Sequence, residues 1–506
     1  MDSKAVEIAQ LNLLLKTTDK KHKLPKLQEN IKNGNSLIDD STITEKAFNW
    51  NKEFETIMEN GGFDIVIGNP PYVKVEQIKK DEKDYFFKNF SHIGGRLDLY
   101  ILFLEKASSI LKEKGLMSFI LPSIWLKAKY GKELRRHILE NYSICAFIDF
   151  GDLKVFENVT TYPCILILQK TKPAENSGFV YIKVPELSEQ ITQNLNVFVR
   201  DNARIIFQKK VNDTWEFGSS KTTELFEKIK KSSNITLSSI RDQIYEGFIT
   251  GNNKIYFIGA ETIDKCHLEK ALVVKVPKAK NIRRFSIGWK NEYVIYPYQE
   301  IKQRTIPIDI EKYPKVKQYL TQFEKVLKNR KSLEGTNKKW FEYVRPREKN
   351  WFERPKILTP NLAATNNFAV DAGQNKEYFY VDHDAYAITI KSDDLNELIF
   401  ICGILNSKVA EFYIKRVSPM FSGGYYKYHT QYLDSIPIIF GCKEEIVNLV
   451  KKIAESAQKL TESKTNQNLA LLDTIKNYEK ELNEVVYALY GVTEEEKKII
   501  EDSLKK

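Results

Sequence analysis

The stretch FDIVIGNPPYVK, residues 63–74, constrains this chain more than any other. Phe63 to Gly68 form a short, nearly continuous apolar run, the kind that makes a buried strand of a parallel sheet. The run ends in Asn69-Pro70-Pro71-Tyr72. In open α/β sheets, ligands bind at the C-terminal ends of the strands. Two prolines fix φ and remove N–H donors, and Pro71 holds Pro70 extended. The Asn69 side-chain oxygen and the Pro70 carbonyl then form a stiff pair of acceptors beside the flat ring of Tyr72. The bland alternative is an ordinary turn after a strand. The chemical reading is a site for an exocyclic amine on an aromatic base, which carries two N–H bonds. Such an amine is a poor nucleophile, because its lone pair is delocalised into the ring. Two acceptors pulling on its hydrogens favour a pyramidal nitrogen and stabilise the positive charge that grows as a bond forms. Positioning supplies the rest.

The flanking sequence sets this loop in an α/β context. KAVEIAQLNLLLK (4–16) has helical spacing, with Asp2 or Ser3 as its cap. KNGNSLI (32–38) reads as a turn into a short strand, and 98–115 as an amphipathic helix closed by glycine. Strands follow at 115–122, 145–152 and 162–170, with a helix at 132–141. The alternation predicts a mostly parallel sheet, its last two strands forming an antiparallel pair at one edge. After residue 175 strands shorten, and turns and basic residues become denser. IRDQIYEGFITGNNKIYFI (240–258) reads as strand, turn, strand, and 376–391 as strand. From 444 onward the pattern is helical. The expected organisation is a catalytic domain over 1–175, an α+β domain over 176–440 and a helical segment over 441–506.

The net charge of +11 favours a polyanionic partner. The region 275–356 interleaves Lys and Arg with aromatics, a pattern suited to positioning phosphates and reading a groove. Arg283, Arg284, Lys290, Arg345, Arg347, Tyr425 and Lys427 are the candidates, each weighed against being a solvated surface group. SGGYYKYH (422–429) combines glycines, tyrosines, Lys427 and His429, against the alternative of a flexible loop. The five cysteines are scattered without CxxC pairs, which argues for reduced thiols. The six histidines show no metal-ligand spacing, and His383 reads as a turn residue. No apolar run approaches the ~18 residues of a membrane span, and no signal peptide is evident. A cytoplasmic protein is expected.

Asn69-Pro70-Pro71-Tyr72 resembles the catalytic motif of amino-group DNA methyltransferases. Other segments match in order: AVEIAQLNLLL, IKNGNSLI, GRLDLYILFLEKA, KGLMSFILPSIWL and LKVFENVTTYPCILIL. YEGFITGNNKIYFI and FSGGYYKYHTQYLDSIPII resemble pieces of a TaqI-like specificity domain. The resemblance covers most of residues 1–440 and is to the adenine-specific enzymes of type II restriction–modification systems. It implies an α/β Rossmann-like catalytic sheet, an α+β DNA-recognition domain and C-terminal helices. It implies double-stranded DNA as substrate, a flipped target adenine, S-adenosylmethionine as methyl donor, and no metal. By resemblance, Asn69 and Pro70 hold the amino group, Tyr72 and Phe156 contact the two faces of the base, and Asn35, Asp98 and Leu99 lie near the cofactor. For Asp98 the alternative is a helix cap, and for Phe156 a core ring.

Two family features are not found in the sequence. There is no Gly-rich turn before Asn35, and no acid ending a second strand, since Asp2 reads as a cap. The expected sheet is therefore incomplete, with a gap between the third strand and the catalytic one that would expose apolar edges. The chain then reads as the C-terminal portion of a larger enzyme. An upstream polypeptide would carry the missing cofactor-binding strands and a nuclease. The competing expectations are a non-catalytic, sequence-specific DNA-binding fragment and an RNA or release-factor methyltransferase, the latter disfavoured by the large second domain.

Overall fold

The structure, a computed structural model, describes residues 3–17, 29–73, 77–90, 98–151, 153–156, 162–208, 211, 215, 217, 220–373, 377–392, 394–418, 420–421, 424–462 and 468–505. The expected cap at Asp2, the start of GRLDLY (95–97), residues 157–161 and Ser422-Gly423 lie outside them. The chain divides into two compact units, Met1–Phe217 and Gly218–Lys506.

In the first unit, α1 (Ser3–Thr17) forms as its spacing predicts, but Ile8 and Leu11 remain 58% and 57% exposed. The sheet contains β1 (Phe63–Gly68), β2 (Leu111–Pro122), β3 (Ser143–Asp149), β4 (Pro163–Gln169), β5 (Gly178–Lys183) and β6 (Arg204–Phe207), in the order β1-β2-β4-β3-β5-β6. Only β1–β2 and β3–β5 are parallel; the other three pairings are antiparallel, so the sheet is mixed rather than mostly parallel. The β3–β4 pair is antiparallel as expected, but it lies inside the sheet. β4 lies between β2 and β3, hydrogen-bonded to both, with Cys164, Leu166 and Leu168 on its one buried face in the shared core.

One face of this sheet is buried under α2 (Leu99–Ile110) and α3 (Lys132–Asn141), with Leu104, Met117, Phe119, Phe147 and Leu166 in the shared core. The opposite face is covered near β3 and β5, where Ile148 and Ile182 meet α4 (Leu195–Asn202). Over β1 it is open: Ile65 is 61% exposed and Ile67 79%. Val66 points the other way, into the core, as the two-residue strand period requires.

Several expectations are corrected. Residues 32–38 make no strand: Asn35 forms an isolated bridge with Ala47, and its side-chain oxygen accepts from the Leu37 amide, a local turn that competes with strand pairing. The helix expected over 98–115 ends at Ile110, because Leu111 pairs with Phe63. No compact-unit boundary falls near 175, because β5 and β6 extend the first sheet to Phe207.

The second unit is built on a four-stranded antiparallel sheet. Its strands are β7 (Arg241–Glu246), β8 (Lys356–Pro360), β9 (Ala369–Asp371) and β10 (Ala385–Ile390), in the order β9-β8-β10-β7. Every residue of β8 and β10 is buried, because both faces are covered. Ile357 and Ile388 join a core with α5 (Leu395–Asn406) and α6 (Lys408–Val417). Leu358 and Ala387 join an aromatic-rich core with Phe248, Tyr296 and Tyr343 on the other face. The expected strand-turn-strand at 240–258 is a strand, a single helical turn (Asn253–Tyr256) and a three-residue strand. In 376–391 only β10 is a long strand. The C-terminal helices α7 (Lys443–Glu462), α8 (Asn468–Leu489) and α9 (Glu494–Leu504) form as expected. They pack within the second unit, where Ile446, Val450, Leu482 and Val486 share the core of Ile401 and Leu405. No described helix is long and apolar enough to cross a membrane.

Candidate functional site

The catalytic-loop candidates sit at the C-terminal end of β1, as the apolar run predicts. Gly68 pairs with Phe119 of β2, and a Cβ at position 68 would lie 2.9 Å from the Phe119 ring. Glycine there lets the loop leave the strand pressed against that ring. Asn69 and Pro71 are exposed, Pro70 is buried and Tyr72 is half-buried. The Tyr72 hydroxyl donates to the Ile120 carbonyl at 3.2 Å. Burial, with a smaller contribution from Cys164, pushes its pKa up to about 12, so it stays a donor. The Leu99 amide donates to the Val73 carbonyl at 3.2 Å, which ties the end of this loop to the start of α2.

Phe156 is brought to Tyr72: the ring centroids are 6.2 Å apart at 77°. That is an edge-to-face contact, so the two rings close on each other. A base could enter between them only if one ring withdrew. Asp98 is buried, 8% exposed, at the N-cap position of α2, but its side chain makes no capping hydrogen bond. The cap alternative therefore does not account for it.

Asn69 and Pro70 border a cavity of about 440 Å³. Its other walls are Gly34, Ser36, Phe48, Trp50 and Phe54 on one side and Phe103 and Lys106 of α2 on another. Phe48 and Trp50 meet edge-to-face at 5.0 Å, Trp50 and Phe54 stack at 5.7 Å, and the Trp50 indole donates to the Ser36 carbonyl. Burial holds the Lys106 ammonium below its ordinary pKa, against Asp39 and Glu105, which raise it. Asn35 does not line this cavity, although its neighbours do. The aromatic wall suits a purine, and the volume suits a cofactor. Among the described residues no carboxylate lines the cavity, so a ribose would find no acidic acceptor among them. The described residues therefore fit one part of an adenosyl cofactor and leave another part without partners.

The second unit brings four of the seven DNA-contact candidates of the sequence toward one end of its sheet. Arg345 bonds to the Glu246 carboxylate, and Arg347 Nε donates to the Glu246 carbonyl at 2.7 Å. Lys427 lies on a short strand, Tyr425–Lys427, with Tyr425 47% exposed. Its charge acts on His429, whose ring is 5.6 Å from that of Tyr386. Burial first, and then Lys427, hold His429 below its ordinary pKa. The other three candidates differ, Lys290 being exposed outside any helix or strand. Arg284 bonds to Glu411 at 2.8 Å and to the Asn366 carbonyl, an internal ion pair. Arg283 is exposed on a separate two-residue strand. Sequence reading missed Glu246 and Tyr386. Their cross-strand pairing was the signal, and it spans 140 residues of sequence, the interval between their numbers.

Residues 1–156 match the Eco57I restriction-modification methylase family, and residues 275–438 match the TaqI-like C-terminal specificity domain. The chain is 25% identical over 456 residues to the type II methyltransferase M.BstVI of Geobacillus stearothermophilus, covering 87% of this chain and 76% of that protein. It is 28% identical over 452 residues to the type II restriction enzyme and methyltransferase RM.Eco57I of Escherichia coli, covering 82% and 44%. Among solved structures it resembles the type IIL restriction-modification enzyme MmeI in complex with DNA, with a TM-score of 0.59 and 13% identity, covering 90% of this chain and 57% of that one. Two family models thus match two separate segments of the chain, methylase first and specificity domain after it. The chain carries an Eco57I-type restriction-modification methylase domain and a TaqI-like C-terminal specificity domain.

Proposed function

We propose that the chain is a site-specific DNA adenine methyltransferase of a restriction–modification system, acting in the cytoplasm. It would transfer a methyl group from S-adenosylmethionine to the exocyclic amino group of a flipped adenine. The observation that carries this reading is the position of Asn69 and Pro70, at the end of β1 and on the rim of an aromatic-walled cavity. Asn69 Oδ1 and the Pro70 carbonyl accept the two amino hydrogens and draw off the charge that grows on nitrogen. Tyr72 offers its ring to one face of the base, its hydroxyl anchored on Ile120. Phe156 meets the other face once displaced from Tyr72. When bound, S-adenosylmethionine supplies a methyl group made electrophilic by its sulfonium. Phe48, Trp50 and Phe54 would hold the adenine of that cofactor.

The reading includes a partner. β1 is the edge strand of its sheet, with Ile65 and Ile67 exposed, and strands of such α/β sheets are normally covered on both faces. Among the described residues the cavity beside that edge has no acid for a ribose. A further polypeptide segment, pairing with β1 and supplying that acid, would complete the cofactor site. Calorimetry of S-adenosylmethionine with this chain, with and without the polypeptide encoded upstream, tests this. Binding is expected only with both; tight binding by the chain alone would refute the partner. Methyl transfer by the pair should fall by more than about 100-fold on Asn69→Ala, the scale of losing a transition-state hydrogen-bond group. Unchanged transfer would refute the catalytic assignment. If the pair binds DNA but transfers nothing, the chain is a non-catalytic specificity fragment.

A further inference from the structure

We propose that one end of the β7–β10 pair is where the second unit reads a G·C base pair, with Arg345 and Glu246 as the discriminating groups. This rests on reading the second unit as DNA-binding and names the surface and base chemistry it would use.

Four segments converge there. Tyr386 of β10 stands directly opposite Glu246 of β7, so the two side chains share one face. Arg345 comes from a loop about 100 residues further along than Glu246. Its backbone is nonetheless fixed in both directions: the Ile249 amide donates to the Arg345 carbonyl at 2.8 Å, and the Arg345 amide donates to the Ile249 carbonyl at 3.0 Å. Arg347 Nε binds the Glu246 and Gly247 carbonyls at 2.7 and 3.3 Å. His429 brings its ring against Tyr386. The pair is thus held by main chain on a rigid sheet, a better mount for a reading group than a free loop.

Exposure separates this pair from the most buried ion pairs of the same unit, though Arg354–Asp242, at 35% and 41%, is equally open. The Arg345 side chain is 41% exposed and its Glu246 partner 26%. The Lys356–Asp371 pair, by contrast, is 0% and 4% exposed, and Arg284 rests on a Glu411 side chain only 5% exposed. A half-exposed ion pair contributes little to folding, so stability does not explain this one. Two arginines also share one carboxylate, which leaves the cluster net positive and favourable to DNA.

The chemistry then selects the base pair. In the major groove guanine presents two acceptors and its cytosine a donor. A guanidinium beside a carboxylate presents donors and an acceptor in the complementary arrangement. Lys427 is the phosphate-type neighbour, contributing affinity rather than sequence choice.

The test is selection of the full chain on a pool of randomised DNA duplexes, followed by sequencing of the bound fraction and binding titrations at fixed salt. The wild type should select a motif containing at least one strongly preferred G·C pair. Arg345→Lys and Glu246→Gln should each relax preference at that pair by about 5- to 150-fold, the range for one bidentate contact, and leave other positions intact. Lys427→Ala should weaken all duplexes alike and leave the motif unchanged. Melting curves confirm folding, and with two independent variants one unstable protein does not end the test. Identical motifs in wild type and both variants would overturn the proposal. So would a uniform loss of binding in folded variants, or a wild type that selects no motif. Since binding is read, failed methyl transfer would count against the catalytic loop and not against this surface.

Discussion

Replacing Arg330 with methionine should destabilise the second unit by about 3–5 kcal/mol. Arg330 is 7% exposed, and its guanidinium is held by carbonyls rather than by a carboxylate. Nε donates to Leu327 at 2.9 Å, Nη1 to Thr250 at 2.6 Å, and Nη2 to Trp340 at 2.7 Å and Glu342 at 2.8 Å. The Tyr256 ring lies 6.0 Å away. Methionine would leave four carbonyls without this donor, each costing about 1–3 kcal/mol if nothing replaces it. Removing a buried charge returns several kcal/mol of desolvation, and local relaxation recovers some bonds, which brings the sum down to the stated range. Arg330→Lys keeps the charge but has fewer, less directed donors, so its loss should be smaller, about 2 kcal/mol. The consequence reaches the reading surface. Thr250 follows Ile249, the backbone partner of Arg345, and precedes Gly251, where a φ of +81° and a Cβ that would fall 2.5 Å from Val344 Cγ2 require glycine. The assay is urea denaturation of the full chain, followed by tryptophan fluorescence and by proteolysis within 240–350. The transition of the second unit should shift and that of the first should not. A methionine variant within about 1 kcal/mol of wild type would refute this account, given that surface substitutions cost about that little. So would a lysine variant less stable than the methionine one.

Three further outcomes follow from the same geometry. Tyr72→Phe removes only the bond to Ile120 and should keep single-turnover methyl transfer within about fivefold of wild type, whereas Tyr72→Ala, losing a base-stacking ring, should lower it about 10- to 150-fold. Ile67→Lys, at a position 79% exposed, should change the melting of the chain alone by under about 0.5 kcal/mol. It should weaken complementation by the upstream polypeptide at least about tenfold, because covering an isoleucine contributes roughly 1.5–3 kcal/mol; equal titration curves would count against strand completion. Asp382 carries a pKa raised to about 6, by burial first and then by Asp384. Its folded pKa lies above its unfolded one, so the folded state binds the proton more tightly and stability falls as pH rises from about 4 to 6. Asp382→Asn should flatten that part of the stability–pH curve, by at most about 3 kcal/mol, and an unchanged slope in denaturant melts would reject the assignment.

What could be read from the sequence was local. FDIVIGNPPY carries its strand, its turn and its acceptor pair in ten consecutive residues, and the structure keeps all three together. The helices from Lys443 onward were equally legible, since their periodicity needs no partner to be recognised. The order of β3 and β4 was not. Two adjacent apolar runs specify a hairpin-like pair, but which of them meets β2 depends on contacts across the sheet. Nor could charge counting separate the arginines. Arg284 and Arg345 look alike in a basic stretch, yet one is spent on Glu411 inside the unit and the other stands half-exposed on Glu246. That difference depends on the positions of residues 127 and 99 places away in the chain.

The most informative disagreement between sequence and structure is at β1 itself. Its composition is that of a strand covered on both faces, yet only Val66 is packed into the core, while Ile65 and Ile67 stand 61% and 79% exposed. Scattered exposed apolar residues need no explanation, but these two alternate on one face of an edge strand and adjoin the cavity that Asn69 and Pro70 border. An unprotected apolar edge normally carries a charge, a proline or a bulge to block pairing. In β1 the one charge, Asp64, points to the opposite face from Ile65 and is bound by Lys112 of the neighbouring strand, and the prolines come only after the strand has ended. The register with β2 shifts between Phe63 and Ile65, but Ile65 to Gly68 carry neither a charge nor a proline to oppose another strand. The segment with the clearest catalytic chemistry is therefore also the one built to be paired, and assembly of the edge and completion of the cofactor site become a single event in the proposed mechanism.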